Sequence, residues 1–438
     1  MMCAVIIPGW VGAMMSAGTH WARPVPTPAP VSGPRRQGMG RMLLRGRDIR
    51  TQEPLEVALA APEVQAVRRL HSSAPPAGVA ALGDADCWIA PGLFDSQVNG
   101  FGGHDLSAPD ARPATTRGVI EALWQVGVTR CCPTVTTNSF GGLRRALRAI
   151  ADACDQDPQV AAAVAMIHME GPYISPEDGP RGAHNREWTR PPDWDEFEHL
   201  QEAARGRIGL VTLAPEWAGA PQFIERLVTR GVTVSLGHHA ASAAAIDAAV
   251  TAGATLCTHL GNGAHAHLPR HPNYIWEQLA RDELTAGIIP DGHHLPPAVL
   301  KCLIRVKGVE RTILVSDAAW QAGLPPGTYP HSTGDTVELT ADGRLQLGDT
   351  PYLAGAALPL IQGVANVVRH AGVTLDQAIH MATVVPARAL GVSEPSLEPA
   401  AGQPADLVLF RWDQDAGTIT VEATVAGGEL VYQRETGS

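Results

Sequence analysis

The stretch that decides the fold is Val232-Thr-Val-Ser-Leu-Gly-His238 followed by Ala254-Thr-Leu-Cys-Thr-His259, two short apolar runs that each end in a histidine. Between them, Ala243-Ala-Ala-Ile-Asp-Ala-Ala-Val250 has the spacing of a helix. A strand, a helix and a second strand in this order are typical of a unit whose two strands run parallel. The stretch therefore predicts two parallel strands whose carboxyl ends both carry an imidazole.

The same alternation extends in both directions along the chain. Six further apolar runs have the length and composition of strands, and helical segments such as Gly142–Ile150 lie between most of them: Trp88–Asp95, Gly127–Thr134, Val164–Glu170, Ile208–Glu216, Ala286–Asp291 and Thr312–Asp317. Eight strands alternating with helices predict an α/β protein with a (β/α)₈ TIM-like barrel, in which chemistry gathers at the carboxyl ends of the strands. A doubly wound sheet is the alternative, but no Gly-x-Gly-x-x-Gly follows the first strand.

The two ends of the chain have a different pattern. Residues 41–87 and 396–438 hold short β-like pieces separated by turn residues, such as Leu407–Phe410 and Ile419–Val425. We predict a small β-sandwich domain built from both termini, with 39–90 and 396–438 in that domain and 91–395 in the barrel. Residues 1–38 contain the run Arg23–Pro30, rich in proline, and lack the basic start and apolar centre of a signal peptide, so they are predicted to be a disordered extension.

Composition excludes several classes of function. The chain has 438 residues, 45% of them hydrophobic, and a formal net charge of −11, which argues against binding nucleic acid or an anionic membrane surface. Its seven cysteines include no Cys-x-x-Cys pair, which favours a reducing compartment, and we expect a cytoplasmic protein. No apolar run reaches the roughly 18 residues of a membrane span.

Three potential metal ligands end predicted strands three, five and six: Glu170, His238 and His259. One carboxylate with two imidazoles is a common catalytic zinc set that leaves a position open for water. A single histidine at a strand end is usually a loop or core residue, but three ligands converging on one barrel face indicate a metal site.

Three more polar residues would face the same end of the barrel. Asp317 ends the eighth strand, where it is either a helix cap or a carboxylate that exchanges protons with water. His184 and His294 lie on the loops beyond strands three and seven, where solvent-exposed loop histidines are the plain alternative.

A series of motifs extends along most of the chain and includes Pro91–Gly100, His168–Tyr173, Gly182–Asn185, Leu213–Glu216, Val234–His238, Thr258–Asn262, Asp291–His294, Gly323–Tyr329 and Pro404–Val408. From about residue 43 to the C-terminus, these motifs resemble, in order, those of the N-acetylglucosamine-6-phosphate deacetylases of the amidohydrolase superfamily.

The resemblance implies a metal-dependent amidohydrolase that removes acetate from N-acetylglucosamine 6-phosphate in amino-sugar catabolism. It implies one divalent ion per subunit, Zn²⁺ or alternatively Fe²⁺, and a homodimer. The implied roles are metal ligation by Glu170, His238 and His259, acid/base catalysis by Asp317, polarisation of the acetamide carbonyl by His184, and substrate binding by His184, Asn262, Gly263, Arg270 and His294.

The chain departs from the family pattern at two places. Gln97-Val-Asn99 replaces the His-x-His pair that holds a second metal in many amidohydrolases, so we expect a single ion. Asn262-Gly-Ala264 and Arg270-His-Pro-Asn273 stand where the family has Asn-Ala-Met and Arg-Glu-Pro-Gly, which bears on the group at the far end of the substrate.

Two alternative functions follow from these observations. One is a related amidohydrolase acting on another N-acyl sugar or amide that lacks the phosphate. The other is a catalytically inactive barrel that binds a ligand, which would require the loss of a metal ligand or of the base. The sequence retains the three candidate ligands and Asp317.

Overall fold

The computed structural model describes residues 42–70, 80–330, 336–348 and 353–435. The predicted extension 1–38 lies outside the described residues. In chain order the strands are β1 (Met42–Asp48), β2 (Pro54–Ala60), β3 (Glu63–Arg69), β4 (Ala80–Pro91), β5 (Leu93–Val98), β6 (Gly100–Phe101), β7 (His104–Asp105), β8 (Val128–Thr136), β9 (Ile167–Glu170), β10 (Ile208–Leu213), β11 (Thr233–Leu236), β12 (Leu256–Cys257), β13 (Thr285–Ile288), β14 (Thr312–Leu314), β15 (Gly327–Pro330), β16 (Thr336–Leu339), β17 (Leu345–Leu347), β18 (Leu407–Asp413), β19 (Thr418–Ala426) and β20 (Glu429–Gln433).

Helices follow the barrel strands. They are α1 (Pro113–Trp124), α2 (Phe140–Gln156), α3 (Pro158–Ala163), α4 (Trp194–Ala203), α5 (Ala220–Thr229), α6 (Ala243–Thr251), α7 (Tyr274–Ala280), α8 (Pro297–Lys307), α9 (Leu360–Ala371), α10 (Leu375–Met381) and α11 (Val384–Ala389). Among the residues described, none of these helices combines the length and hydrophobicity needed to cross a bilayer.

The central sheet has eight strands in the order β5-β8-β9-β10-β11-β12-β13-β14, and every neighbouring pair is parallel. A parallel bridge between Val98 and Ala318 brings the first strand back to the chain that follows the last one, so the sheet is almost closed. A helix follows each strand, which confirms the predicted (β/α)₈ barrel.

Helix α2 shows how the local sequence builds the outer layer. Ser139 caps the helix by accepting a hydrogen bond from the Gly142 N–H, 3.1 Å away. Its apolar residues recur every three or four positions, and that face is buried against the barrel, with Leu143, Ala146, Leu147 and Ile150 inside.

The small β domain joins the two ends of the chain in one sheet, ordered β20-β19-β18-β4-β1-β2-β3. The sheet curls on itself, because a bridge joins Glu63 to Pro404 at its far end. A separate apolar cluster fills it, including Leu44, Val57, Ile89, Leu409 and Val425. A small domain assembled from both termini is thereby confirmed, whereas its predicted limits at residues 90 and 396 stay a prediction.

Two features differ from the sequence prediction. The run Trp88–Asp95 is not one strand: β4 ends at Pro91 in the small domain, and the barrel starts at Leu93. Gly92 lies between the two strands, and a Cβ at this position would lie 2.2 Å from the Thr129 side chain. The sequence prediction also missed the three-stranded antiparallel sheet β15-β16-β17, which follows the last barrel strand.

Candidate metal centre

Four of the predicted site residues lie at the carboxyl ends of barrel strands. Glu170 is the last residue of β9, His238 and His259 follow β11 and β12 by two residues, and Asp317 follows β14 by three. Since parallel strands of a barrel end at the same face, these four side chains reach one site. The first three are buried, and Asp317 is partly exposed.

The three predicted ligand atoms form a compact triangle. Glu170 Oε1 lies 3.0 Å from His238 Nε2 and 3.0 Å from His259 Nε2, and the two ring nitrogens are 2.9 Å apart. Ligands about 2.1 Å from a tetrahedral ion would be roughly 3.4 Å from one another, so the triangle is close to the size of a zinc set. Burial opposes a charge on Glu170, but the two adjacent imidazoles hold its pKa well below the usual range.

Hydrogen-bond roles at His238 show that this triangle fits a cation. His238 Nδ1 lies 2.8 Å from the backbone carbonyl of Pro180, and a carbonyl can only accept, so Nδ1 carries the proton. In the neutral ring Nε2 then presents a lone pair to the Glu170 carboxylate and to the second imidazole. Such an arrangement is repulsive unless positive charge lies between the three atoms, and a divalent ion supplies it.

The backbone at the site is held in an unusual conformation. Among the described non-glycine residues, five have positive φ, and three of them are His238 (53°), His259 (27°) and Asp317 (48°). Non-glycine residues adopt this left-handed region at a cost and only when the surroundings impose it, most often at functional sites. The left-handed residue at each strand end turns the backbone. Its side chain therefore departs from the regular alternation of side chains between the two faces of a strand.

Two amides that sequence analysis treated only as missing ligands prove to be hydrogen-bond donors. Gln97 Nε2 donates to Glu170 Oε1 at 3.0 Å, and Asn99 Nδ2 donates to Asp317 Oδ1 at 2.8 Å. The absence of the His-x-His pair was visible in the sequence. The hydrogen bonds that Gln97 and Asn99 make in its place could be identified only from the folded structure. Gln97 and Asn99, at the end of the first barrel strand, thus hold two of the predicted site residues, Glu170 and Asp317.

Asp317 has the electrostatics of a proton carrier. Its burial at the barrel mouth, together with the negative charge of Glu170, raises the pKa of Asp317 to about 6. A bound cation would lower that pKa again, because it stabilises the carboxylate. Asn99 fixes one carboxylate oxygen, which leaves the other available to a water or an amine.

His184 joins the same cluster. One ligand atom from each of Glu170, His184 and His238 lies within 4.8 Å of the others, and the two imidazole centroids are 4.3 Å apart. Burial, and then the neighbouring His238, lower the pKa of His184 to about 3, so the ring is neutral. Thr137 Oγ1 is 2.8 Å from Nδ1, and its contact with the Glu170 carbonyl is long at 3.5 Å. A hydroxyl that donates to Nδ1 leaves a proton on Nε2.

The remaining predicted residues lie on loops. Asn262 Nδ2 donates to the His259 carbonyl at 3.3 Å, and His294 Nδ1 lies 2.7 Å from Asp291 Oδ2. Gly263 has φ of +56°, and a Cβ there would lie 2.7 Å from His238 Nδ1, so this glycine permits close packing over the ligand ring. Arg270 is exposed, and within the described ranges no hydrogen bond or ion pair involves its guanidinium.

A cavity also lies away from these residues. It has a volume of about 630 Å³, lies between α2 and α4 on the outside of the barrel, and includes none of the predicted site residues; its lining includes Phe140, Arg144, Arg148, His199 and Arg205. The candidate metal centre at the barrel mouth is therefore separate from this cavity.

A parallel barrel whose mouth joins a carboxylate, two imidazoles and an acidic residue defines a class, the hydrolases that use a metal ion held at strand ends. Residues 88–431 match the model of the amidohydrolase family. The chain belongs to the amidohydrolase family and is a hydrolase acting on an amide.

Several relatives are similar over most of their length. The N-acetylglucosamine-6-phosphate deacetylase of Bacillus subtilis is 30% identical over 350 residues, covering 80% of this chain and 85% of the relative. An N-acetylgalactosamine-6-phosphate deacetylase of Shewanella is 34% identical, with 79% and 84% covered. A solved mutant N-acetyl-D-glucosamine-6-phosphate deacetylase of Mycobacterium smegmatis, in complex with N-acetyl-D-glucosamine-6-phosphate, has a TM-score of 0.77 at 30% identity, covering 90% of this chain and 100% of that one.

Proposed function

We propose that the protein hydrolyses the acetamide of N-acetylglucosamine 6-phosphate to glucosamine 6-phosphate and acetate. The observation that carries the proposal is the ligand triangle of Glu170, His238 and His259, with Asp317 held beside it by Asn99. The relatives named above support the substrate, because most of the chain aligns with deacetylases of amino-sugar phosphates.

One divalent ion per subunit is part of the proposal, with Zn²⁺ expected and Fe²⁺ as the alternative. Glu170, His238 and His259 would hold it, and Gln97 would orient the carboxylate. Such an ion lowers the pKa of a water molecule to about 7 and polarises a carbonyl. Gln97 and Asn99 are engaged as donors to Glu170 and Asp317, which supports a single-ion site.

Asp317 moves the protons of the reaction. In its ionised form, Asp317 accepts a proton from the attacking water at the carboxylate oxygen that Asn99 does not bind. It then delivers this proton to the nitrogen of the departing amine, so the C–N bond breaks with release of a neutral amino group. A positioned acid/base of this kind contributes about 10²–10⁴-fold to the rate.

His184 stabilises the charge that develops on the acetamide oxygen. Its Nε2 carries a proton when the Thr137 hydroxyl donates to Nδ1, and that N–H can donate to the oxyanion. Because the pKa of His184 is lowered to about 3, the ring is neutral and donates this hydrogen bond without carrying a charge of its own.

Substrate binding is assigned to the loops. Asn262, Gly263 and His294 flank the centre, and Arg270 is proposed to bind the phosphate. The chain carries a net charge of −11, so an anionic substrate needs a local cation. The planar guanidinium group can form two parallel hydrogen bonds to phosphate oxygens.

A second candidate substrate is the C4 epimer, N-acetylgalactosamine 6-phosphate. Relatives from Shewanella and from Escherichia coli O157:H7 with that activity in their names are 34% identical to this chain, at least as similar as the glucosamine enzymes. The chemistry at the metal centre would be the same for both sugars.

Assembly, compartment and domain limits complete the proposal. We propose a homodimer, and light scattering of the purified protein would test it. We propose a cytoplasmic location, supported by the free thiols of all six described cysteines, five of them buried. The limits of the small domain, 39–90 with 396–438, and of the barrel, 91–395, are kept as part of the same proposal.

Acetate release from a panel of sugars tests the substrate. The panel contains N-acetylglucosamine 6-phosphate, its galactosamine epimer, and unphosphorylated N-acetylglucosamine. We expect the highest kcat/KM for the first compound. Equal kcat/KM for N-acetylglucosamine with and without phosphate would contradict the phosphate assignment, and a higher value for the epimer would reassign the sugar.

A further inference from the structure

A layer of polar side chains crosses the inside of the barrel directly below the metal centre. It comprises the following residues of five consecutive strand segments: Thr134, His168, Thr212, Ser235 and Thr258. All five are buried. We call this set the polar layer. Buried polar groups at this depth are costly unless each is hydrogen-bonded, so their connections carry information.

The layer is continuous. Ser235 Oγ lies 2.6 Å from Thr258 Oγ1, which lies 2.7 Å from Thr212 Oγ1, which in turn lies 2.8 Å from His168 Nε2. On the other side of the ring, His168 Nδ1 is 3.3 Å from Thr134 Oγ1, and that hydroxyl is 3.1 Å from the Cys132 carbonyl.

The number of available protons fixes the direction in which the hydrogen bonds of the polar layer are donated. If His168 Nε2 carried a proton, one of the three hydroxyls at Thr212, Thr258 and Ser235 would have no acceptor within the described residues. If Nε2 is the acceptor, Ser235 donates to Thr258, Thr258 to Thr212, and Thr212 to His168. The His168 Nδ1–H then faces Thr134, whose own proton goes to the Cys132 carbonyl. Every donor is satisfied only in this arrangement.

The residues of the polar layer are adjacent to the three predicted metal ligands. His168 and Glu170 point to the same side of β9, since they are two residues apart in a strand. Thr212 pairs in register with Glu170, and Thr258 directly precedes His259. Below His238, a Cβ on Gly237 would lie 2.7 Å from Thr258 Cβ and 2.8 Å from Thr212 Cγ2, so the layer occupies the space where a side chain would be.

We propose that the polar layer, with His168 as its single terminal acceptor, is the positioning device that fixes the spacing of the three metal ligands. The proposal rests on the proposed function only in assuming that Glu170, His238 and His259 bind a divalent ion. The hydroxyls are buried and bonded within the layer, so we expect them to make no contact with the substrate. Their loss should therefore weaken metal binding and leave KM of the metal-loaded enzyme unchanged.

The test compares two substitutions at Thr212, which lies in the middle of the hydrogen-bonded series from Ser235 to His168. Thr212→Val keeps the shape but removes the hydroxyl that donates to His168, whereas Thr212→Ser keeps the hydroxyl. Thr312→Val is the matched control, because Thr312 is a buried threonine at the opposite end of a barrel strand, bonded only to the Gly308 carbonyl. Zn²⁺ affinity is measured on the full-length protein by competition with a chelator, without substrate.

Thr212→Val should weaken Zn²⁺ binding by about 10–100-fold, the usual effect of losing a residue that orients metal ligands. Thr212→Ser should bind as wild type, and Thr312→Val should lose thermal stability without losing affinity. A ¹⁵N NMR spectrum of the wild type should show His168 protonated on Nδ1. Affinity of Thr212→Val equal to that of wild type, or a proton on Nε2, would overturn the proposal. Neither result depends on which sugar is hydrolysed, and a protein that binds Zn²⁺ tightly but releases no acetate would refute the proposed function alone.

Discussion

The barrel mouth and the loop 262–273 are built in opposite ways. At the mouth, the proposed ligand side chains are buried, their backbone is held in the left-handed region at two histidines, and an outer donor or acceptor orients Glu170 and His238. In the loop, Arg270 and His271 are exposed, and the guanidinium of Arg270 has no partner in the part of the chain that is described.

The difference separates the chemical step from substrate recognition. A rigid centre keeps reacting groups in place before the substrate arrives, which is where positioning contributes most to a rate. The side chain of an exposed arginine becomes ordered only when the substrate binds. Its contribution is therefore to the binding of the substrate that carries the matching group. We therefore expect changes at the mouth to remove metal or turnover, and changes in the loop to alter selectivity.

Loss of a metal ligand should have the largest effect. His238→Ala or His259→Ala should abolish activity and leave no ion bound after dialysis, because two remaining ligands hold a divalent ion poorly. Elemental analysis of the purified variants measures this, and wild type should hold one ion per chain. His239→Gln is the control, since His239 is a buried neighbour outside the triangle and should keep the ion. Two ions per wild-type chain would contradict the single-metal site.

Asp317→Asn should come next. The amide keeps the size of the side chain but cannot accept the water proton, so kcat should fall by at least about 10²-fold. Metal content and thermal stability should remain close to wild type, which separates the loss of a base from the loss of the site. Near-normal turnover would remove Asp317 from the mechanism.

Arg270→Ala tests the loop. Hydrogen bonds to charged groups contribute roughly 1.5–3 kcal/mol, so kcat/KM for the 6-phosphate should fall by about 10–100-fold. The unphosphorylated sugar should be hydrolysed at an unchanged rate. Arg305→Ala, at an exposed arginine on α8, should affect neither substrate. A parallel loss for both sugars would show that Arg270 supports the fold of the loop and does not bind phosphate.

The smallest effect is expected where the loop meets the mouth. Gly263→Ala places a Cβ against the His238 ring and should weaken Zn²⁺ binding by several-fold, besides the roughly 1–2 kcal/mol of backbone strain at positive φ. Gly231→Ala has the same kind of strain, with φ of +76° and no atom within 4 Å of the added Cβ. Both variants should lose thermal stability, and Gly263→Ala should lose more because its Cβ also meets the His238 ring. Equal Zn²⁺ affinity in the two would show that the loop does not constrain the ligand.

The sequence predicted those features of the site that depend on the positions of the strands. Each of Glu170, His238, His259 and Asp317 follows an apolar run, so a parallel barrel places them together without further information. The partners Asn99, Thr137 and Pro180 could not be predicted in this way, because their contacts cross between strands or loops far apart in the chain. The polar layer was missed for the same reason, since isolated threonines in strands are usually interpreted only as β-formers.

The boundary between the small domain and the barrel shows a second limit. Trp88–Asp95 is one continuous apolar run, and nothing in its periodicity marks the point at which the chain passes from one sheet to the other. At the break, the side chain of Thr129 on the neighbouring strand leaves no room for a Cβ at Gly92, and this contact exists only after folding.

The most direct test of the account is acetate release from N-acetylglucosamine 6-phosphate before and after metal removal. Protein stripped with a chelator should lose activity, and one equivalent of Zn²⁺ per chain should restore it. The restored rate should remain strongly reduced in Asp317→Asn carrying the same single ion. Full activity in metal-free protein, or no acetate from the metal-loaded wild type, would contradict the account.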